Sequence, residues 1–389
     1  MQQKDHLTDM SEADPQRRRS LAPMPLPPKV ALVLQGGGAL GSFQGGIFEA
    51  LDEAHIPIDW VAGISIGAVN AAIIAGNPPE RRVARLKEFW ALVTSTLPSF
   101  PIPFVHDQLR EMLNEWSATL VATGGVPGFF SPRPWPPVMA IPGTIEALSF
   151  YDTTPLVATL NGLIDWDLLN DGPVRLSIGA VEIESGNFKF FDTKHDRIDH
   201  RHIMASGALP PGLPPVEIGG KWYWDGGVVS NTPLSHVLDN QTEDMLIFQV
   251  DLFSSKGPLP KTMMDVNARA KEIQYSSRTR TISDQLMQAR KKREVAQRVL
   301  AKLPPELHDD PDVKELTAIA HDNAVALVQM IYRANAWEGG SRDYEFSERT
   351  RLEHWQAGRD AVARTIKNSA VLAKDISGRK TMSFDLNRP

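Results

Sequence analysis

The sequence predicts an α/β fold: a mainly parallel central sheet flanked by helices, with a helical C-terminal extension. Three observations carry this. An apolar run, Val30–Leu34, leads into a glycine-rich loop and then a helical stretch. The same order repeats at once, with Ile58–Ile64, a second glycine turn and Ile66–Ala75. Much later, Lys261–Leu303 holds neither glycine nor proline and suits one long helix. Strands alternating with helices imply parallel pairing, with helices covering the sheet faces.

Composition agrees. The chain has 389 residues, more than one small core needs. Hydrophobic residues are 42% and charged residues 23%, as in a globular body. A net charge of -6 argues against a general nucleic-acid partner. There are 0 cysteines, which excludes disulfides, cysteine nucleophiles and thiolate metal sites. It also suits a reducing compartment. Met1–Pro28 is polar, carries Arg17-Arg18-Arg19, ends in prolines and lacks the apolar core of a signal peptide. It reads as a disordered tail. No apolar run reaches the roughly 18 residues of a membrane span. The expected location is cytoplasmic, with membrane contact at most peripheral.

The elements follow in order. Val30–Leu34 is a buried strand, Ser42–Ala54 a helix, Ile58–Ile64 a second strand and Ile66–Ala75 a second helix. Asn77-Pro78-Pro79-Glu80 starts a third helix. Leu97–Pro142 is rich in proline and aromatic residues, among them Phe129, Phe130 and Trp135. Prolines break regular structure, so residues 97–142 read either as an irregular excursion packed on the sheet or as a lid or acyl-chain funnel over the serine. Asp152-Thr153-Thr154-Pro155 has the capping residues and early proline of a helix start. Val174–Ile183 and Phe188–Phe191 read as strands joined at Ser185-Gly186-Asn187. Arg201–Ala208 reads as a helix stopped by Pro210-Pro211. Met245–Leu252 and Ala324–Tyr332 are further strands, and Ser347–Ile366 a helix. The long helix carries far more Lys and Arg than Asp and Glu. It offers a solvated face and a surface on which a second copy could pair.

The chemistry lies in the glycine turns. Gly63-Ile64-Ser65-Ile66-Gly67 has the G-x-S-x-G form, in which a tight strand-to-helix turn pushes a serine hydroxyl outward. A serine hydroxyl needs a base and donors for the oxyanion that forms. Gly36–Gly41 ends the preceding strand at the same rim, so its amides can face Ser65. Gly36–Gly41 also matches the dinucleotide fingerprint G-x-G-x-x-G. Asp59 then stands near the place of a ribose-binding acid, but at the beginning of its strand rather than the far end. His236, His308, His321 and His354 follow Ser65 in settings that suggest packing or surface roles. Asp225-Gly226-Gly227 follows an aromatic run, and the two glycines let the backbone turn closely around the carboxylate. Asp225 is therefore the favoured base. No H-E-x-x-H or comparable spacing points to a metal, and no cofactor is expected.

Gly36–Gly41, Gly63–Gly67 and Asp225-Gly226-Gly227, in this order, resemble the patatin-like phospholipases. Met204–Pro210 and Leu213-Pro214-Pro215 resemble the segment before that family's aspartate. The resemblance spans about Val30–Leu238 and implies a three-layer α/β/α catalytic domain over residues 29–240. It implies a Ser–Asp dyad of Ser65 and Asp225 without histidine, and an oxyanion loop holding Gly36, Gly37, Gly38 and Gly41. Ala39 and Leu40 stand where many members carry Arg or Lys. Residues 241–366 would add the last strands and an extension like that of bacterial members, and 367–389 a tail. The implied activity is hydrolysis of lipid carboxylic esters. Thioester or hydroxyalkanoate polyester hydrolysis, dinucleotide-dependent redox chemistry and lipid binding by an inactive scaffold stay open as alternatives.

Overall fold

The computed structural model describes residues 15–94, 107–320, 323–335, 337–370, 373, 376 and 382–385. The expected tail is ordered in part. Residues 1–14 lie outside the described residues, but Pro15–Leu21 forms a helix (α1). Arg18 and Arg19 pair with Asp52 and Asp59, and Met24 is buried. Charge pairing and one apolar anchor hold a segment that composition alone marks as unstructured.

The first repeat runs β1 (Lys29–Leu34), a short 3₁₀ turn at Gly38–Gly41, and α2 (Ser42–Glu53). The second runs β2 (Trp60–Gly63), α3 (Ile66–Ala75) and α4 (Pro79–Leu92). The proline-rich region differs from its expected irregularity. Of its residues, 97–106 lie outside the described ones, and Asp107–Gly124 forms an 18-residue helix, α5. Its prolines cluster at both ends, so the stretch between is free to coil. A small hairpin, β3 (Ser131–Pro132) with β4 (Tyr151–Asp152), frames the loop that follows. Next come α6 (Thr154–Leu163), α7 (Trp166–Asp171), β5 (Arg175–Glu182), β6 (Phe188–Asp192) and α8 (His200–Ser206). The chain continues through β7 (Val216–Ile218), β8 (Lys221–Asp225), α9 (Leu234–Asp239) and β9 (Met245–Asp251). The C-terminal part adds α10 (Met263–Leu300), α11 (Pro311–Ala320), β10 (Val325–Ile331), α12 (Glu348–Lys367) and β11 (Met382–Phe384).

The main sheet has the order β11-β10-β9-β1-β2-β5-β8-β7, with β6 on the other edge of β5. From β11 to β5 every pairing is parallel, and β6, β7 and β8 pair antiparallel. Val30 to Leu34 and all of β9 are buried, as expected for parallel strands covered on both faces. Leu32, Leu34 and Phe248 pack on one face, and Ala31, Val33 and Ile247 on the other.

Two features of this sheet position the site. The C-terminal part is not separate: β10 and β11 extend the sheet, and α12 packs on α2. A Cβ on Gly46 would lie 1.9 Å from the Trp355 carbonyl oxygen, so the two helix backbones nearly touch. The indole N–H of Trp355 donates to Glu49 at 2.7 Å, and Arg359 pairs with Glu53. The second feature is a head-to-head meeting beside β5. β2 pairs with Arg175–Ile178 and β8 with Ala180–Glu182. β6 pairs with residues from both stretches, so it occupies the opposite edge. β2 and β8 therefore share one edge of β5, arrive from opposite directions and meet at Gly179.

Candidate active site

That meeting brings Ser65 to Asp225. β2 ends at Gly63 and Ser65 follows within the turn. β8 ends at Asp225, whose register partner is Ala180. Ser65 holds φ 57° and ψ −125°, a conformation disfavoured for any residue with a Cβ. The turn can close only because its flanking positions lack side chains. A Cβ on Gly63 would lie 2.3 Å from the Gly67 carbonyl oxygen, and one on Gly67 2.4 Å from that of Leu34. Ser206 anchors the turn from below. Its hydroxyl donates to the Gly179 carbonyl at 2.7 Å and accepts the Ser65 N–H at 3.0 Å.

Asp225 is buried, and burial pushes its carboxyl up to about 7. The Ser65 hydroxyl and the Gly227 N–H hydrogen-bond to the carboxylate and oppose that rise. The Gly227 bond is 2.7 Å long. Gly226 packs against the Gly179 carbonyl. Among the described residues, no histidine lines the cavity around Ser65. His236 instead bonds Asp192 and stacks on Phe190, and His354 is buried beside Glu338. His321 lies outside the described residues.

The glycine loop passes beside the serine. A Cβ on Gly36 would lie 2.9 Å from that of Ser65. The Gly36 N–H donates to the Asn231 carbonyl at 3.2 Å, and the Asn231 side chain donates back to the Gly36 carbonyl at 2.9 Å. The N–H groups of Gly37 and Gly38 have no partner among the described residues. Gly38 sits at φ 54° with its α-carbon under the Asp343 carbonyl, which accepts the Ala39 N–H at 2.9 Å. Gly41 lies apart from this group, packed on Ile66 and Trp90 at the start of α2.

A cavity of about 150 Å³ opens over the serine. Phe129, Phe130, Tyr151, Leu209, Pro210 and Leu213 make its walls largely apolar. The C-terminal extension closes it with Tyr275, Asp343, Tyr344 and Phe346. Among the described residues of its lining, Asp225 and Asp343 are the only charged ones, and Asp343 is paired with Lys271 at 2.8 Å. Burial pushes the Tyr275 phenol up to about 12, and Tyr344 is also raised, chiefly by burial. Both stay protonated at neutral pH. A larger crevice of about 1130 Å³ at the carboxyl ends of β9, β10 and β11 contains neither Ser65 nor Asp225.

Asp59 lies at the opposite end of the sheet. Its carboxylate accepts the Val30 N–H at 2.7 Å and pairs with Arg19, so it does not stand where a ribose-binding acid belongs. Sequence reasoning missed Asn231, Ser206, Tyr275, Asp343 and Tyr344. The polar turn Asn231-Thr232-Pro233 before α9 was the one local sign of the first. The others act across distances that no local pattern records.

Fold and site together define an α/β protein with a strained serine elbow facing a buried carboxylate. The chain belongs to the patatin-like phospholipase family: that family model matches residues 32–238. A second model, described as patatin phospholipase, matches residues 273–376. Lysophospholipase NTE1 of Kluyveromyces lactis is 27% identical over 239 residues, covering 61% of this chain and 13% of that protein. The Candida glabrata lysophospholipase NTE1 is 28% identical over 209 residues, covering 53% of this chain and 9% of that protein. The chain thus spans a small part of these relatives' length. Human GIVD cytosolic phospholipase A2 superposes with a TM-score of 0.48 and 11% identity, over 97% of this chain and 65% of that one. VipD from Legionella pneumophila gives 0.40 and 13%, over 92% and 71%. These structural likenesses are too distant to bear on function.

Proposed function

We propose that this protein is a serine acyl hydrolase that cleaves lipid carboxylic esters through a Ser65–Asp225 dyad. The observation that carries this is the pairing of a strained, outward serine with a buried carboxyl poised near neutral pH. A base titrating near the working pH is the efficient kind. Asp225 takes the hydroxyl proton as Ser65 Oγ bonds the acyl carbon. The carbonyl electrons move onto oxygen, and the free N–H groups of Gly37 and Gly38 donate hydrogen bonds to that oxyanion. Gly36 supports the loop through Asn231 rather than donating. The intermediate collapses, the ester C–O bond breaks, and the proton on Asp225 leaves with the alcohol. Water, deprotonated by Asp225, then attacks the acyl-enzyme, and the acid departs with Ser65 restored.

The walls favour an acyl chain, with Phe129 and Phe130 as the funnel that residues 97–142 were expected to form. No cation lines the cavity to hold a phosphate beside the reacting carbon. A neutral ester linkage fits best, with any charged head group outside. Among the described residues no helix is long and apolar enough to cross a membrane. The proposal has the chain working at the edge of a lipid surface. A fluorophosphonate serine probe tests the core of it. Folded wild type should label, and Ser65→Ala and Asp225→Ala should not. Labelling that survives in Asp225→Ala would remove the dyad.

A further inference from the structure

We propose that α5 and the loop from Pro132 to Phe150 form a face that inserts into the surface of a lipid bilayer, with the cavity mouth opening beside it. The inference rests on the hydrolase reading, which supplies the reason for a lipid surface.

The first observation is that α5, although Ala118 and Val121 pack inward, leaves a second apolar stripe in solvent. Leu109, Met112, Trp116 and Leu120 recur every three or four residues and make one stripe. All four are exposed, Trp116 at 63%. Beside the buried Ala118 and Val121, the inward side makes polar bonds. Arg110 pairs with Glu353, Glu115 accepts the Ser341 hydroxyl at 2.7 Å, and Ser117 donates to Glu345 at 2.5 Å. Those bonds fix the helix's rotation, so the apolar stripe cannot turn inward. Contiguous apolar surface left in water marks an interaction site.

The loop adds a second exposed apolar segment. Val138 is 91% exposed and Ile141 74%, with Trp135 close behind. From Trp116 to Phe150 the sequence holds just one basic and one acidic residue, Arg133 and Glu146. A long exposed stretch with tryptophans and almost no charge suits the boundary between head groups and acyl chains. Tyr151 links the pieces to the site. Its hydroxyl donates to the Ala122 carbonyl in α5 at 2.7 Å, and its ring meets Phe130 at 4.8 Å. Both Tyr151 and Phe130 line the catalytic cavity. An acyl ester leaving the bilayer would enter the cavity past them. The sparse charge also names the surface: insertion is apolar, and anionic lipid is not required.

The test uses the full chain as Ser65→Ala, so that binding is read without turnover. Flotation with phosphatidylcholine vesicles should carry the protein upward, with partitioning nearly unchanged by salt. Met112→Asp with Trp116→Asp should weaken partitioning at least tenfold. Val138→Asp with Ile141→Asp, on the other segment, should do likewise. In the Ser65 background, both pairs should still label with a soluble fluorophosphonate at the wild-type rate, which shows an intact site. Four results would overturn the proposal: no flotation, flotation equal in both variants, flotation that needs phosphatidylserine and low salt, or a solution dimer that the substitutions break. A wild type that floats but never labels would instead remove the hydrolase reading and leave the docking face standing.

Discussion

Replacing Asp225 by asparagine should make the protein nearly inactive and, above neutral pH, more stable. The amide keeps the shape of the carboxyl and can still accept the Gly227 N–H, so the turn survives. The carboxyl's ordinary value of 3.8 rises to about 7 in the folded chain. The folded state therefore holds a proton that the unfolded chain releases. Stability is free of this penalty below pH 3.8, falls as pH rises, and carries the full penalty above about 7. Roughly three pH decades at 1.36 kcal/mol each amount to about 4 kcal/mol. Urea unfolding of wild type and Asp225→Asn at pH 4 and pH 8 reads this directly. The variant's advantage should grow by about that much between the two. Any fixed cost of the substitution shifts both points equally and cancels. Asp251, also buried and raised to about 7, is common to both proteins and cancels too. A difference that stays constant with pH would refute the burial argument, whatever the activity. Wild-type kcat/KM should rise with pH to a plateau above about 7 and lie about a hundredfold lower at pH 5.

Other expectations are narrower. Ser65→Gly should be more stable than Ser65→Ala by about 1 kcal/mol, because glycine tolerates the positive φ that serine and alanine do not. Equal thermal unfolding of the two would deny strain in the elbow. Asn231→Ala removes the bond to the Gly36 carbonyl, and kcat should drop about tenfold with KM little changed. An unchanged kcat would separate Asn231 from the loop's alignment. Gly46→Ala should push α2 and α12 apart at a cost of about 1–3 kcal/mol in urea unfolding. A variant of wild-type stability would mean the helix contact is looser than its geometry.

Much of the framework was legible because parallel strands buried on both faces are continuous apolar runs. β1, β2, β5, β9 and β10 were found for that reason, each within two residues of its ends. Ser65 and Asp225 were legible because each sits beside glycines that a tight turn demands. α5 was hidden by averaging composition over a region whose prolines gather at its ends. β8 carries three aromatic residues in five and was read as an approach to Asp225, not as a strand. Its head-to-head meeting with β2 depends on which edge of β5 is free, which no local pattern records. Tyr275, Asp343 and Tyr344 join the site only because the C-terminal part folds back over it.

That fold-back sets an order of events during synthesis. The serine elbow is complete early in the chain, and Asp225 arrives in the middle. The cavity that holds them both is closed by Phe346 and its neighbours, which follow much later in the chain. The brace on Gly38 also comes from there, through the Asp343 carbonyl. A nascent chain, or one cut before Asp343, thus carries the serine elbow without a finished pocket.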